Sequence, residues 1–188
     1  FAKGVGSAGF LHAFMRKGSV IRIATQSMLV GTGWGIAAIK VDRTGTRPPV
    51  MSPSGMVTAL YSNHVGDRLL AMEETGMPSY RQPFEMGGIK ASPRVALIDA
   101  VATTDTRTVY WHAINRSFDR PLDVHIDVRE FGCLSGTARV YTMEGKLHDD
   151  DAGPSAWIEK AEAHLSNGAV RLKLPPRSVS IVEVPIAL

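Results

Sequence analysis

The sequence contains a single cysteine, Cys133, among its 188 residues. A lone cysteine excludes an intrachain disulfide and any metal site built from several cysteine ligands. Clustered positive charge is lacking as well, because the net charge is only +3 and the densest basic cluster is Arg16-Lys17. Nucleic-acid-binding domains usually carry a basic patch or stripe. We therefore predict that the chain has no nucleic-acid partner.

Long hydrophobic runs are also missing. The most apolar stretch, residues 27–39, is interrupted by glycines and a tryptophan. It is too short to span a bilayer, for which about 20 consecutive apolar residues are needed. The sequence predicts no membrane partner.

Recognisable catalytic and metal-binding spacings are absent too. The six histidines are dispersed and no two have the i,i+4 spacing of a zinc-binding helix; they are His12, His64, His112, His125, His148 and His164. No serine lies in a G-x-S-x-G motif. The acidic run Asp149–Asp151 matches no EF-hand loop, and cation binding there stays open. We predict no catalytic residue, metal ligand or cofactor within this chain.

Three early glycines, Gly4, Gly6 and Gly9, have the spacing G-x-G-x-x-G of a dinucleotide-binding loop. Such a loop follows a buried strand, and an acidic residue lies about 20 positions later. Only three residues precede Gly4, and the later positions read VIRIATQ, so the sequence meets neither condition. We interpret the glycines as small residues of a helix that packs closely on a sheet.

Residues 1–66 have the pattern of an α/β segment. Four apolar residues recur at helical spacing and predict a buried stripe: Phe10, Leu11, Phe14 and Met15. Residues 20–24, VIRIA, form a β-branched run typical of a buried strand in a parallel sheet. A Gly- and Pro-rich loop of residues 31–55 follows, and Ser52 or Ser54 then caps a helix over residues 55–64. A segment of this kind cannot close a sheet by itself.

Residues 67–188 read instead as all-β, with short strands separated by turns. The predicted strands are residues 68–73, 95–103, 108–115, 122–128, 138–143, 169–174 and 178–184. Residues 122–128 alternate most clearly, with aliphatic side chains on one face and Asp123, His125 and Asp127 on the other. Asp99 is likewise predicted to face outward, and Trp111 to lie in the core. This spacing predicts an antiparallel β-sandwich.

Specific residues in both parts resemble glycoside hydrolase family 51, the α-L-arabinofuranosidases. A small-residue helix ends in a basic pair and precedes a strand of the type V-K-I-A. The matching residues are Met15-Arg16-Lys17, Ile21-Arg22-Ile23-Ala24 and Leu29-Val30-Gly31. Downstream, the family hairpin is matched by Asp99-Ala100-Val101-Ala102 and Ala113-Ile114-Asn115-Arg116, and the closing strand by residues 174–184.

The resemblance implies a fold and an activity. Residues 1–66 would be the last elements of a (β/α)8 catalytic barrel, and residues 67–188 a jelly-roll β-sandwich. Enzymes of this family are retaining and use one glutamate as acid/base and another as nucleophile. Both glutamates are expected in polypeptide upstream of Phe1, so the chain alone is expected to be inactive.

Three residues are predicted to contact substrate. Many family members place a substrate-contacting glutamine four residues after the I-A pair, where this chain has Met28. Gln26 lies two residues earlier, which preserves side-chain parity in a strand. Trp34 follows the predicted strand at the end where α/β barrels bind ligands.

The expected partners are the upstream part of the barrel and an arabinose-containing glycan, and the sequence is compatible with a homo-oligomer. Two alternatives stay open. The sandwich could be a non-catalytic carbohydrate-binding or interaction module, or the chain could belong to a xylosidase-type barrel hydrolase. Exposed aromatic residues on one sandwich face would favour the module. A large apolar surface on residues 5–60 would favour part of a barrel.

Overall fold

The computed structural model describes residues 1–32, 37–132, 135–146 and 156–186. These residues form two helices and three β-sheets. The helices are α1 (Ala2–Met15) and α2 (Pro53–Asn63), with a 3-10 turn at Arg129–Phe131. The strands are β1 (Val30–Gly31), β2 (Ile39–Lys40), β3 (Val50–Met51), β4 (Arg68–Leu69), β5 (Ser79–Gln82), β6 (Ser92–Ala96), β7 (Ile98–Thr104), β8 (Thr108–Asn115), β9 (Leu122–Asp127), β10 (Ser135–Gly145), β11 (Ala156–Ser166), β12 (Ala169–Leu174) and β13 (Ser178–Pro185).

The main sheet has eight strands in the order β4-β7-β8-β13-β10-β11-β12-β9, and its paired strands are antiparallel. Side chains from strands far apart in this order, such as Ala102 on β7 and Ile126 on β9, belong to one buried cluster. The sheet must therefore curl around that cluster. The predicted antiparallel β-fold is confirmed, although the strands form one continuous curled ladder where the sequence predicted a jelly-roll.

The two helices pack against each other and against the outer face of the same sheet. A second buried cluster fills this interface, with Phe1 and Ala8 from α1, Val57 from α2, and Ile114 and Ile181 from the sheet. Central strands β8 and β13 thus contribute to a core on both of their faces. This explains why residues 178–184 lack the alternation of a half-exposed strand.

Several elements agree closely with their predictions. Strands β7 and β8 form the predicted hairpin, and β12 has its predicted bounds. On β9, Asp123, His125 and Asp127 are exposed. Trp111 is buried in the core, as predicted. Helix α2 begins after Ser52, whose Oγ accepts a hydrogen bond from the backbone N–H of Gly55 at 3.1 Å.

The strand predicted over residues 20–24 is wrong. These residues form no strand, and Val20 and Ile23 are 79% and 80% exposed. Among the described residues no neighbouring strand pairs with this run, and a β-branched sequence needs such a partner to be buried. The predicted loop of residues 31–55 also contains β1, β2 and β3, which form a small sheet.

The buried stripe predicted for α1 is correct only in part. Leu11 and Met15 are partly buried and pack against the second cluster, but Phe10 is 68% exposed. The fully buried residues of α1 are Gly4, Ala8 and His12. A Cβ on Gly4 would lie 2.9 Å from both Pro53 Cβ and Met143 Cε, so a small residue is needed there. Gly6 and Gly9 have open space around them. The close-packing interpretation therefore holds for Gly4, and all three glycines lie within a helix rather than in a loop.

Residue 66, at the predicted boundary, lies directly on the sheet. A Cβ on Gly66 would come within 2.2 Å of the carbonyl carbon of Thr104. The backbone N–H of Gly66 donates to Thr103 Oγ1 at 2.9 Å. The chain therefore passes from the helices to the sheet without an exposed linker at this residue.

Strand β11 and the hairpin of β5 and β6 were also not predicted. Strand β11 reads AWIEKAEAHLS and is largely exposed, so its sequence has little apolar alternation. It is held by pairing with β10 over its full length, a long-range contact that local sequence does not encode. The hairpin of β5 and β6 is also mostly exposed.

Candidate functional site

Gln26 is hydrogen-bonded to a side chain of helix α2. Its Oε1 lies 3.0 Å from Thr58 Oγ1, which also lies 2.9 Å from the carbonyl oxygen of Ser54 one turn earlier. Gln26 is half-buried. The helix thus fixes the carboxamide of a residue that the sequence places in the substrate pocket.

Met28 does not share a strand face with Gln26, because residues 20–29 form no strand. Its φ angle is +56°, in the left-handed region that costs an ordinary residue about 1 kcal/mol. Its carbonyl oxygen accepts the backbone N–H of Ala38 at 3.1 Å, and its side chain is 41% exposed. The parity argument for these two residues therefore fails, although both remain near the start of β1. Trp34 lies outside the described residues, as do Asp149–Asp151.

The N-terminus of α2 supports the small sheet that follows this segment. The N–H of Ser52 donates to the carbonyl oxygen of Ala38 at 2.8 Å. A Cβ on Gly55 would lie 2.4 Å from that same oxygen, so only glycine permits this approach. Strand β1 pairs in parallel with β2, whose other neighbour is β3. Gln26 and Met28 consequently lead into an edge strand that α2 holds in place.

Large apolar side chains are exposed throughout this part of the chain. The exposed apolar set comprises Phe10, Val20, Ile23, Met28, Leu29, Val30 and Met51. Soluble proteins scatter single apolar residues over their surface, whereas here seven lie within 42 positions of the sequence. Such exposed apolar residues within positions 5–60 are the feature expected to favour part of a barrel.

A buried polar cluster joins the helices to the sheet around Asp99. Its carboxylate contacts the guanidinium groups of Arg16, the C-cap of α1, and Arg116, which directly follows β8. His12 Nδ1 lies 3.4 Å from Asp99 Oδ1. The prediction that Asp99 faces outward is therefore wrong, because helix α1 covers the face of β7 that carries it.

The charges around Asp99 decide its protonation. Burial raises the pKa of Asp99, but contacts with His12, Arg16 and Arg116 outweigh this effect and hold the pKa below the usual range. Arg16 also donates to the carbonyl oxygen of Ala100 at 2.8 Å. Asp99 is thus ionised at neutral pH and ties α1 to β7.

Two buried histidines lie beside this ion cluster. His12 Nε2 is 2.6 Å from the hydroxyl of Tyr61, whose ring centroid lies 4.9 Å from that of His112. Burial lowers the pKa of His12, and lowers the pKa of His112 to about 3. Burial also raises the pKa of Tyr61. Fully buried neutral side chains cannot reach a substrate, so this group serves to dock the helices on the sheet.

A second ion cluster lies at the C-terminal end of α2. His64 Nδ1 is 2.7 Å from Glu183 Oε1, and Arg139 Nε is 2.8 Å from Glu183 Oε2. Glu183 is on the central strand β13 and is buried. The contact with Arg139 is an ion pair by distance, without hydrogen-bond geometry at Oε2. The buried carboxylate therefore links the end of α2 and strand β10 to β13, as a structural anchor does.

Sequence reasoning missed both clusters. Their members are separated by up to 119 positions, as for His64 and Glu183. No local spacing could have indicated them, and only the packing of α1 and α2 on the sheet brings them together.

In the part of the chain that the structure describes, no group of three or more His, Cys, Asp or Glu side chains is arranged to hold a metal ion. Neither α1 nor α2 has the length and apolar character of a membrane-spanning helix.

No protein-family model matches the chain, and no curated protein matches its sequence. Solved structures do match it. The α-L-arabinofuranosidase of Thermotoga maritima, determined with arabinose, aligns over 97% of this chain with a TM-score of 0.75 and 21% identity. The chain shares its fold with part of a family 51 arabinofuranosidase. The thermostable family 51 α-L-arabinofuranosidase of Thermotoga petrophila RKU-1 aligns over 96% of this chain, with a TM-score of 0.75 and 20% identity.

A family 30 xylanase of Clostridium acetobutylicum aligns less well, with a TM-score of 0.57 over 98% of the chain at 14% identity. The chain spans 38%, 37% and 39% of the lengths of these three proteins. The family 51 resemblance that the sequence motifs predicted is thus confirmed at the level of the fold.

Proposed function

We infer that this chain is the C-terminal part of a retaining glycoside hydrolase that acts on α-L-arabinofuranosides of plant-type glycans. Residues 1–66 would complete a (β/α)8 barrel, and the curled sheet would pack beside it as the C-terminal domain. The two catalytic glutamates would come from polypeptide outside this chain. A retaining mechanism needs these carboxyl groups about 5 Å apart, one as acid/base and one as nucleophile.

The exposed apolar set is the observation that carries the proposal. Val20, Ile23, Leu29 and Val30 lie within 11 positions, and a completed barrel would cover them. Strand β1 pairs in parallel with β2, as barrel strands do, and has a free edge in the small sheet. The fold likeness to arabinofuranosidases supports the same assignment.

Gln26, Met28 and Trp34 would line the substrate pocket. Thr58 donates to Gln26 Oε1 and so fixes the direction in which the Gln26 carboxamide, an amide N–H donor, would meet sugar hydroxyls. Such preorganised donors are worth most when another element fixes their direction.

The alternative of a carbohydrate-binding module is less well supported. The exposed large aromatic side chains of the β-part are spread over different elements: Tyr80 on β5, Phe84 after β5, Phe118 after β8 and Trp157 on β11. A sugar-stacking platform requires aromatic rings side by side on one surface.

The proposal is tested by two forms of the protein. The 188-residue chain alone is expected to leave 4-nitrophenyl α-L-arabinofuranoside intact. The polypeptide with its native upstream sequence should hydrolyse it with retention of anomeric configuration, followed by NMR. Hydrolysis by the chain alone would refute the assignment. Hydrolysis of the xyloside but not the arabinofuranoside would establish the xylosidase-type alternative.

The pocket assignment has its own test in the extended protein. Gln26→Ala should lower kcat/KM about tenfold or more, since a hydrogen bond to the sugar is lost in the transition state. Gln82→Ala on the β5 strand is the matched control and should leave kcat/KM unchanged. Equal effects of the two substitutions would remove Gln26 from the pocket.

A further inference from the structure

The outward face of strands β9, β12 and β11 carries an open groove that the proposed function does not use. Its volume is about 490 Å³. Val170 and Leu165 on these strands point into the curled core, so the residues next to them in sequence point outward. His125, Arg171 and His164 are among the outward residues that line the groove.

These three side chains form a row across adjacent strands. Arg171 on β12 is directly opposite His125 on β9. On the other side, β12 pairs with β11 through Val170 and Leu165, and the next outward residues are Arg171 and His164. Ala169 leaves the groove floor free beside the guanidinium. Three nitrogen-bearing side chains therefore converge on one open space.

The charges of the groove are paired except at its centre. At one end Arg129 Nε donates to Asp127 Oδ1 at 3.0 Å. Beyond its other end, outside the groove lining, Lys173 Nζ lies 3.7 Å from Asp123 Oδ1. Within the described ranges the Arg171 side chain makes no hydrogen bond or ion pair. The groove thus presents one unneutralised guanidinium between two imidazoles.

The paired end of the groove is fixed by a tight turn. Asn167 and Gly168 join β11 to β12 with φ angles of +51° and +74°, as in a two-residue hairpin turn. A Cβ on Gly168 would lie 2.1 Å from Arg129 Cγ, so the stem of Arg129 packs over the glycine. Arg129 is therefore held at the rim, away from Arg171.

We propose that this groove binds the carboxylate of an acidic sugar residue in a glycan. The guanidinium of Arg171 offers paired N–H donors that match the two oxygens of a carboxylate. The imidazoles of His125 and His164 lie on either side, where they contact the neighbouring sugar hydroxyls. The choice of a sugar as the carrier of the carboxylate rests on the proposed function, whereas the preference for a carboxylate rests on the groove itself.

Isothermal titration calorimetry of the full native polypeptide tests this with two probes of the same ring type. Trigalacturonate should bind, whereas galactotriose, which lacks the carboxylates, should not. Arg171→Gln should weaken trigalacturonate binding about tenfold or more, because a charge-assisted contact is lost. Lys173→Gln is the matched control on the same strand and face, and should change the affinity by less than about twofold.

Three results would overturn the proposal: equal binding of both trisaccharides, equal weakening by both substitutions, or displacement of trigalacturonate by an equimolar amount of inorganic sulfate. The last result would reveal a simple anion site. Arabinofuranoside hydrolysis by Arg171→Gln should equal that of the unchanged protein. If hydrolysis is absent from every form while Arg171-dependent binding persists, the proposed function fails and the groove assignment stands.

Discussion

The curled sheet and the segment between the two helices contain similar aliphatic residues, but these residues are buried in the sheet and exposed in the segment. On β13, Val179, Ile181, Val182 and Val184 are completely buried, because the strand contributes to a core on each face. Between α1 and β1, Val20 and Ile23 are almost fully exposed. Apolar composition alone thus does not determine burial, and the difference lies in whether a paired strand or helix is present to cover the side chain.

The sheet residues are buried by contacts within the described chain, including those with the two helices. Under the proposed function, the exposed apolar side chains of residues 16–51 would be buried by other polypeptide.

The largest expected effect comes from truncating the same residue type in both regions. Ile181→Ala should lower the free energy of unfolding by about 3–4 kcal/mol, because it leaves a cavity between the helices and the sheet. Ile23→Ala should cost less than about 0.5 kcal/mol, since its side chain is already in water. Urea unfolding followed by circular dichroism measures both. Similar losses would mean that the two regions do not differ as described.

The substitution at Ile23 also tests the proposed function. In the polypeptide with its upstream sequence, Ile23→Ala is expected to cost about 1–2 kcal/mol, because a completed barrel would bury the side chain. An unchanged cost of under about 0.5 kcal/mol in both forms would show that nothing covers Ile23.

Acid should weaken the junction between the helices and the sheet. An unfolded histidine takes up a proton below its ordinary pKa of 6.5, whereas the pKa of buried His112 is lowered to about 3. The unfolded chain therefore binds more protons in this range, and stability falls as the pH falls. From pH 7 to pH 5 the loss due to His112 should be about 2 kcal/mol.

His112→Asn provides the control for this pH dependence. Removing the titrating group should reduce the loss of stability between pH 7 and pH 5, measured by urea unfolding at each pH. An identical pH dependence in the variant would exclude His112 as its source. Asp99 acts at lower pH, because its pKa is held below the usual value and its stabilising charge is lost only on further acidification.

The glycines of α1 provide a test within one helix. Gly4→Ala should destabilise the protein by about 1–3 kcal/mol, because the new methyl group meets Pro53 and Met143. Gly6→Ala should stabilise it by about 0.5–1 kcal/mol, since alanine favours the helix and space is open. Thermal unfolding of the two variants should therefore shift in opposite directions, and a shift in the same direction would contradict the packing of α1 on α2.

The smallest effect is expected at the link between Gln26 and α2. Thr58→Val removes the hydroxyl near Gln26 Oε1 and should cost about 1 kcal/mol or less, because one partly exposed hydrogen bond is lost. Thr44→Val in the exposed Asp42 turn is a control of the same chemistry. In the extended protein, Thr58→Val should raise KM for an arabinofuranoside more than Thr44→Val does.

The sequence predicted the elements whose local pattern and tertiary environment agree. Strand β9 has one buried and one solvated face, so its alternation was readable, and Ser52 provided a clear cap for α2. Strand β11 was missed because its pairing with β10 lies outside any local window. The strand predicted over residues 20–24 is wrong for the opposite reason. Its local composition is typical of a strand, but among the described residues no other strand pairs with it.

The candidate site was predictable only in part. A family resemblance directed attention to Gln26 and Met28, but the support that Thr58 gives Gln26 could not be read from positions 32 residues apart. The parity argument failed because it assumed a strand. Arg16, Asp99 and Arg116 all belong to motifs of the family resemblance, but no local spacing shows that they meet. The cluster around Glu183 likewise depends on how α2 docks on the sheet.

Gly66 has a mechanical consequence. Because its backbone lies against Thr104 and its N–H is bound by Thr103, the junction between helices and sheet has no slack. A larger residue at position 66 would have to push the Thr103–Thr104 backbone of β7 aside, so the end of α2 and the start of the β7–β8 hairpin are sterically coupled at this point.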